Sequence, residues 1–435
     1  MPFTFIFLWT DIAFWGLIIF FLLMIFFRQK KLINEPSVVF KVLQNRIGLA
    51  CGMILLAYLI VTALDSIHVQ IALQHEIKSV LDLILSPLDK PMLRSYTAPF
   101  AATYALAPSK FSVGAHIFYL GIFSLFCTLI GVMIVLSWIR YYLKCSWKEL
   151  YNQILKRNKN SICPICLKTV LLTTASILFI ALWMYFLSRY YPIFGTDKIG
   201  HDVFYQSIKS IRTALLIGGL TTLFIIPFAI LFGTLAGYFR GWVDDVIQYL
   251  YMTLSSIPGI LLIAATLLML DLWLNHNGGM DMNMVRRADA RLLLLCIILG
   301  ITSWTSLCRL LRAETLKLRN MAYVEAGIVL GGRPVGIILR HIIPNLMHIV
   351  LITFVLDFSG LVLAEAVLSY VGVGVDPSMM SWGNMINRAR LELAREPIVW
   401  WSLLSAFSFM FILVLSANLF ADVVRDAYSP RDRTE

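Results

Sequence analysis

Charge is scarce in this sequence. Asp, Glu, Lys and Arg together make up 14% of 435 residues, while apolar residues reach 59% and the mean hydropathy is +0.81. A water-soluble domain of this length needs a charged shell that such a composition does not supply. Catalytic signatures are missing as well. There is no HExxH, no GxSG and no adjacent GxGD; Gly372-Val-Gly-Val-Asp376 carries an extra residue. No GxxxxGK[ST] loop is present, which argues against ATP hydrolysis by this chain. Of seven cysteines, Cys51, Cys127, Cys296 and Cys308 fall in apolar runs, where cysteine serves as a small filler. Cys163-Pro-Ile-Cys166 has redox or zinc spacing, but neither a second CxxC nor a His pair accompanies it or Cys145, so no metal site is expected.

What is abundant is long apolar blocks. A run of about 20 apolar residues crosses a bilayer as a helix, and inside lipid the backbone must satisfy itself, which selects helices. Nine blocks qualify: 4–27, 47–66, 116–139, 169–190, 213–236, 247–269, 291–309, 346–368 and 399–422. The net charge of +11 is unevenly placed. Segment 140–168 holds Arg140, Lys144, Lys148, Lys156, Arg157, Lys159 and Lys168 against Glu149; segments 28–46 and 310–345 are also basic. Placing these three in the cytoplasm obeys the positive-inside rule, with the N-terminus outside and the C-terminus inside. Basic charge is therefore a topology signal, and no nucleic-acid partner is expected. The first block has no basic n-region and is followed by Arg28-Gln-Lys-Lys31, which suits an uncleaved anchor.

Residues 1–140 read as an N-terminal extension with three membrane helices and a loop, 67–115, assigned outside. Residues 141–168 form a basic connector, and 169–435 a tighter block of six helices. Gly233-Thr-Leu-Ala-Gly237 is a small-xxx-small packing pattern, Pro227 a tolerated bend, and Trp400-Trp401 an interfacial belt.

The long polar interruption at 310–345 is the most informative stretch. Leu318, Met321, Val324 and Ile328 recur at helical spacing. Gly331-Gly332 ends that helix, Pro334 suits the first turn of another, and Pro344 marks re-entry into the membrane. A short helix, a glycine elbow and a second short helix make a compact element able to dock in a groove.

These residues resemble a known family. Glu325-Ala326-Gly327, then Gly331 and Ile343-Pro344, is similar to the EAA loop of permeases in ATP-binding-cassette importers. Arg340-His-Ile-Ile-Pro-Asn345 looks like the dipeptide/oligopeptide/nickel version. Phe194-Gly-Thr-Asp-Lys-Ile-Gly-His-Asp202 resembles the GTDxxGRD segment, and Ala236–Asp244 the turn that follows. Ala364–Gly374, Asp376-Pro377 and Ser381-Trp-Gly-Asn384 resemble the AEAxLSFLGLG…PSWGxM run, and Leu419–Arg431 the family ending. Two departures stand out: Gly327 replaces the second Ala of EAA, and His201 stands where the family has Arg. The resemblance implies an all-α polytopic membrane protein: a six-helix importer permease core, here preceded by three extra transmembrane helices. It implies residence in the bacterial inner membrane within lipid, a second homologous permease, two ATPase subunits that carry ATP and Mg, and an extracytoplasmic substrate-binding protein. No cofactor is expected on this chain. Peptides are the implied substrate; nickel or another small solute, or an ATPase-independent secondary transporter, are the alternatives.

By the same resemblance Glu325, Ala326, Gly327, Gly331, Arg333, Arg340 and Pro344 couple to the ATPase, though Glu325 also suits a helix N-terminus and the arginines also suit inside-positive charge. Gly195, Thr196, Asp197, Gly200 and Asp202 form the extracytoplasmic motif. Asp357 and Glu365 are ionisable groups within an apolar run. Such groups face a polar path or a helix–helix hydrogen bond. With Gly372, Gly374, Pro377 and Trp382 they make the candidate translocation path or gate, and 371–383 reads as re-entrant.

Overall fold

The structure, a computed structural model, describes residues 3–6, 8–19, 38–71, 77–86, 95–101, 113–143, 167–276 and 284–428. The basic connector with Cys145, Cys163 and Cys166, and the end of the family-like C-terminal run, lie outside these residues. In chain order the elements are β1 (Phe3–Ile6), α1 (Trp9–Ile19), α2 (Val38–Gln44), α3 (Arg46–Asp65), β2 (His68–Ile71), β3 (Ile77–Ser79), α4 (Val80–Ile84), α5 (Val113–Leu143) and α6 (Leu167–Ser188). There follow α7 (Val203–Phe239), α8 (Trp242–Ser256), α9 (Gly259–His276), α10 (Met284–Arg319), α11 (Ala322–Val329), α12 (Pro334–Tyr370), α13 (Trp382–Glu392) and α14 (Trp401–Tyr428).

Among the described residues seven helices are long and apolar enough to cross a membrane, and eight if a bent pair counts as one span. The fold is that of an all-α polytopic membrane protein. Two apolar blocks differ from expectation. Block 4–27 begins as a strand, because Phe3–Ile6 pairs antiparallel with His68–Ile71, and only the short α1 follows it in the described part. Block 247–269 is two helices bent by 82°. Pro258, at the break, lacks the N–H that would continue the first helix. Segment 67–115 is likewise more than a loop, for β2, β3 and α4 lie in it.

The chain divides into two compact units: Met1–Ile6, Phe27–Arg212 and Met380–Glu435, and Phe7–Phe26 and Thr213–Met379. In the first unit α3 lies against α14. A Cβ on Gly48 would sit 2.6 Å from Val423 Cγ1, and one on Gly52 3.4 Å from Phe420. The Tyr58 hydroxyl donates to the Phe409 carbonyl at 3.0 Å. This GxxxG spacing replaces side chains with close backbone approach, the means by which helices associate where lipid removes the hydrophobic drive. α5 and α6 pack through rings, with Phe123 and Phe186 edge to face at 5.2 Å.

A buried polar knot ties α3 and α4 to the first turns of α7. Lys209 Nζ lies 2.7 Å from Asp82 and 3.7 Å from Asp65. Tyr205 donates to Asp82 at 2.7 Å, and Ser79 Oγ to Asp65 at 2.6 Å. Burial alone would raise the Asp82 carboxyl; the charge and hydrogen bond of Lys209, with those of Ser79 and Tyr205, outweigh it and hold the group below its ordinary value. Its contribution to stability is thus present above the usual carboxylate range and is lost as pH falls through the lowered value.

In the second unit α7 and α10 meet at Gly233 and Gly237, whose absent Cβ atoms would lie 2.9 Å from Cys308 O and 2.5 Å from Thr315 Cβ. The expected small-xxx-small contact is realised. Gly218 lies against Phe358 of α12 in the same way, at 2.5 Å. At the start of α1, Thr10 donates its N–H (3.1 Å) and its hydroxyl to Asp289 of α10.

Lys209→Ala leaves two buried carboxylates facing each other and should destabilise the protein by about 3 kcal/mol. Thermal unfolding in detergent reads this; a variant as stable as the parent would show that the knot is not a stabilising contact.

Candidate functional site

The residues before α7 form a closed turn. Thr196 and Asp202 make an antiparallel bridge, and Gly195 and Gly200 have φ of +65° and +91°. A Cβ on Gly195 would lie 2.4 Å from the Thr97 carbonyl. Asp197 holds the turn from inside: Oδ1 accepts the N–H groups of Ile199 and His201, each at 2.9 Å, and Oδ2 accepts Gln206 Nε2 at 2.6 Å. Trp401 Nε1 donates to the Thr196 carbonyl at 3.1 Å. His201 enters the turn through its backbone, also accepting the Asp197 N–H at 3.0 Å. Its replacement of Arg therefore leaves these backbone bonds in place. Asp202 caps α7 by accepting the Phe204 N–H at 2.8 Å, and its Oδ2 is buried with no hydrogen-bond partner among the described residues.

The segment after α10 is the elbow that its sequence announces. Met321 begins α11 and Glu325 stands exposed in its first turn. Gly331 ends the helix at φ +75°, a conformation that a Cβ disfavours. The Gly332 N–H returns to Gly327 O at 3.0 Å and the Gly331 N–H to Ile328 O at 3.0 Å, the paired bonds of a Schellman ending. Gly332 is the crowded member, since its Cβ would meet Gly327 O at 2.7 Å. Gly327 has room: a methyl there meets only Ile337, at 3.9 Å. The Gly-for-Ala departure is sterically silent.

The second half of the elbow corrects the expectation. It is no separate short helix, because α12 runs unbroken through Pro344 to Tyr370. A π-turn at Ile338–Ile342 makes this workable. The Ile343 N–H reaches back five residues to Ile338 O, and the widened turn relieves the clash of the proline ring with the preceding carbonyls. Asn345 Nδ2 donates to the Tyr323 hydroxyl at 3.0 Å and to His341 O at 2.8 Å, tying α11 to α12.

Inward, Val324, Ile337, Ile338 and Ile342 are buried in one core. Outward, Val329 and Leu330 are 85% and 86% exposed, with Val335 at 64% and Leu339 at 61%. Ala326, Arg333 and Arg340 are exposed on the same element.

In α12, Glu365 is buried and accepts Ser369 Oγ at 2.8 Å. Asp357 is half-buried and has no hydrogen-bond or ion-pair partner among the described residues. Gly372, at φ +87°, closes α12, with the Val373 N–H on Leu368 O at 2.9 Å. Gly374 passes directly over Ser369. Asp376 Oδ1 accepts Ser378 N–H and Oγ at 2.9 and 2.7 Å across the Pro377 turn. Trp382 is fully buried and donates to Ser207 O at 3.0 Å, which makes it an anchor of α13 on α7.

Burial pushes the Asp202 carboxyl up to about 7, against the backbone N–H groups of Phe204 and Tyr205. An acid raised on folding keeps an extra proton in the folded state, so its effect on stability is a decline from about pH 4 to about pH 7. Asp202→Asn, neutral throughout, should flatten that decline in thermal unfolding measured across this range. An identical pH dependence in variant and parent would contradict the assignment.

Residues 229–434 match the family of binding-protein-dependent transport system inner membrane components. The chain is 30% identical over 243 residues to the oligopeptide transport system permease protein OppC of Haemophilus influenzae, covering 56% of this chain and 71% of that protein. It is 30% identical over 237 residues to the glutathione transport system permease protein GsiD of Pectobacterium atrosepticum, covering 54% and 72%. With OppC of Bacillus subtilis it shares 28% over 240 residues, covering 55% and 72%. The chain belongs to the binding-protein-dependent transport system inner membrane components, and is a multi-pass transport subunit rather than an enzyme.

Proposed function

We propose that this chain is the channel-forming permease of an ATP-driven importer that moves peptides across the inner membrane by alternating access. The observation that carries the reading is the 321–344 elbow. A rigid, doubly bonded turn whose inner face is core and whose outer face presents Val329, Leu330, Val335 and Leu339 has the form of a segment docked in a groove of a partner. That partner is an ATPase subunit, two of which bind ATP and Mg beneath this chain and a sister permease. An extracytoplasmic binding protein delivers substrate. Relatives named for oligopeptide, glutathione and dipeptide transport favour peptide cargo.

The N-terminus lies outside and the C-terminus inside. In support, β1 pairs with β2 directly after α3, and the Thr97 backbone of the same region bonds to the 195–202 turn. Asp357, unpaired within α12, lines the path and attracts the peptide amino terminus. The extra helices brace the core through the Lys209 knot and the α3–α14 contact.

The complex of both permeases and both ATPases, reconstituted in vesicles with the binding protein, should accumulate labelled tetra-alanine with ATP hydrolysis. Gly331→Val should lower uptake about tenfold while hydrolysis persists; survival of coupled uptake would refute the docking role. Asp357→Asn should weaken uptake of free-amino peptides but not of N-acetylated ones, and uptake of free-amino peptides unchanged from the parent would remove Asp357 from the path.

A further inference from the structure

The C-terminal end of α10, which leads into the elbow, is joined to the α7–α8 turn by a seam of contacts from one helix face. Arg309 lies over the Tyr251 ring at 5.8 Å and Arg319 over the Tyr238 ring at 5.6 Å. Arg240 Nη2 donates to Asn320 Oδ1 at 2.9 Å. Between them Arg312 grips Asp244 with two parallel bonds, Nε to Oδ1 at 2.5 Å and Nη2 to Oδ2 at 2.6 Å. At 3.6 residues per turn, positions 309, 312 and 319 fall within about 80° of arc, and Asn320 follows directly on the helix end. Asp244 and Tyr251, seven apart, share a face of α8.

The Arg312–Asp244 fork stands out in this seam. Its side chains are 24% and 12% exposed. The backbone of Arg312 is itself fixed, because Gly237 approaches its carbonyl so closely that a Cβ would lie 2.9 Å away. A planar guanidinium on a carboxylate transmits orientation as well as attraction. α8 in turn leads into the 82° break before α9, a pair exposing Trp242, Tyr249, Met252 and Met269.

We propose that Asp244 and Arg312 are positioning residues that make the α7–α8 turn and the stem of the elbow one body. Displacement of the elbow is thereby delivered to the broken α8–α9 pair as well as along α12. The elbow has two outputs, and the fork is the link to the second. This rests on the docking role assigned to the elbow above.

The test uses the whole reconstituted complex, with tetra-alanine taken up and ATP hydrolysed measured on the same vesicles. Asp244→Asn should leave hydrolysis within about twofold of the parent and lower the peptide transported per ATP about tenfold. Arg312→Lys, which keeps the charge and loses the fork, should give an intermediate ratio. Where Asp244→Asn fails to assemble, Arg312→Lys alone is read the same way. An unchanged ratio, including one in which both rates fall together, would show that the fork only holds the fold and would overturn the proposal. Failure of the docking role itself looks different, since Gly331→Val would then keep the coupled uptake of the parent complex.

Discussion

Two glycines on α7 set how close α10 can come, and much of the second unit follows from that distance. With Gly233 and Gly237 facing Cys308, Leu311, Arg312 and Thr315, the two backbones touch without intervening side chains. In lipid, apolar side chains gain nothing by leaving tails as apolar as themselves, so contact of this kind supplies the attraction. It holds the lower part of α10 as a fixed stem. The elbow of α11 and the start of α12 is mounted on that stem, and Arg312 emerges from it at the one height where it reaches Asp244.

The same economy governs the first unit, where Gly48 and Gly52 bring α3 onto α14. Polar groups then add direction to helix pairs that close packing alone would leave free to slide. Lys209 fixes the first turns of α7 against α3 and α4; in the second unit Asp289 catches the first turn of α1. Lys209 and Asp289 each have a named counterpart, as burial demands. The part of the N-terminal extension that lies in the first unit is built into it through backbone approach, a strand pairing and a charge knot.

Much of this was legible in sequence. Apolar run length located seven spans and the bent pair, since a helix must have about 20 such residues to cross, but not all their ends: blocks 213–236, 291–309 and 346–368 continue as Val203–Phe239, Met284–Arg319 and Pro334–Tyr370. Gly233-xxx-Gly237 and the Gly331 elbow were visible because each needs a residue type with few substitutes. What was hidden depended on distant partners. Phe3–Ile6 reads as helix until His68–Ile71 is beside it. Pro344 reads as a helix start because the π-turn that accommodates it leaves no residue signature. Pro258 stood inside block 247–269 and was the available sign of its bend. The Gly48–Gly52 spacing and Lys209 were also in plain view, but the partners of Lys209 lie 127 and 144 positions away by number, beyond any local pattern. Gly332 was read with Gly331 as one signal, although the two glycines answer different needs: one a backbone angle, the other space.

The account turns on the elbow's outer face being covered by an ATPase subunit. Site-specific photo-cross-linking from position 330, with the side chain of Leu330 replaced by a photoreactive one in the intact complex, tests this most directly. The account predicts a single covalent adduct with the nucleotide-binding subunit. Adducts with lipid alone, or with the sister permease in place of the ATPase, would contradict it.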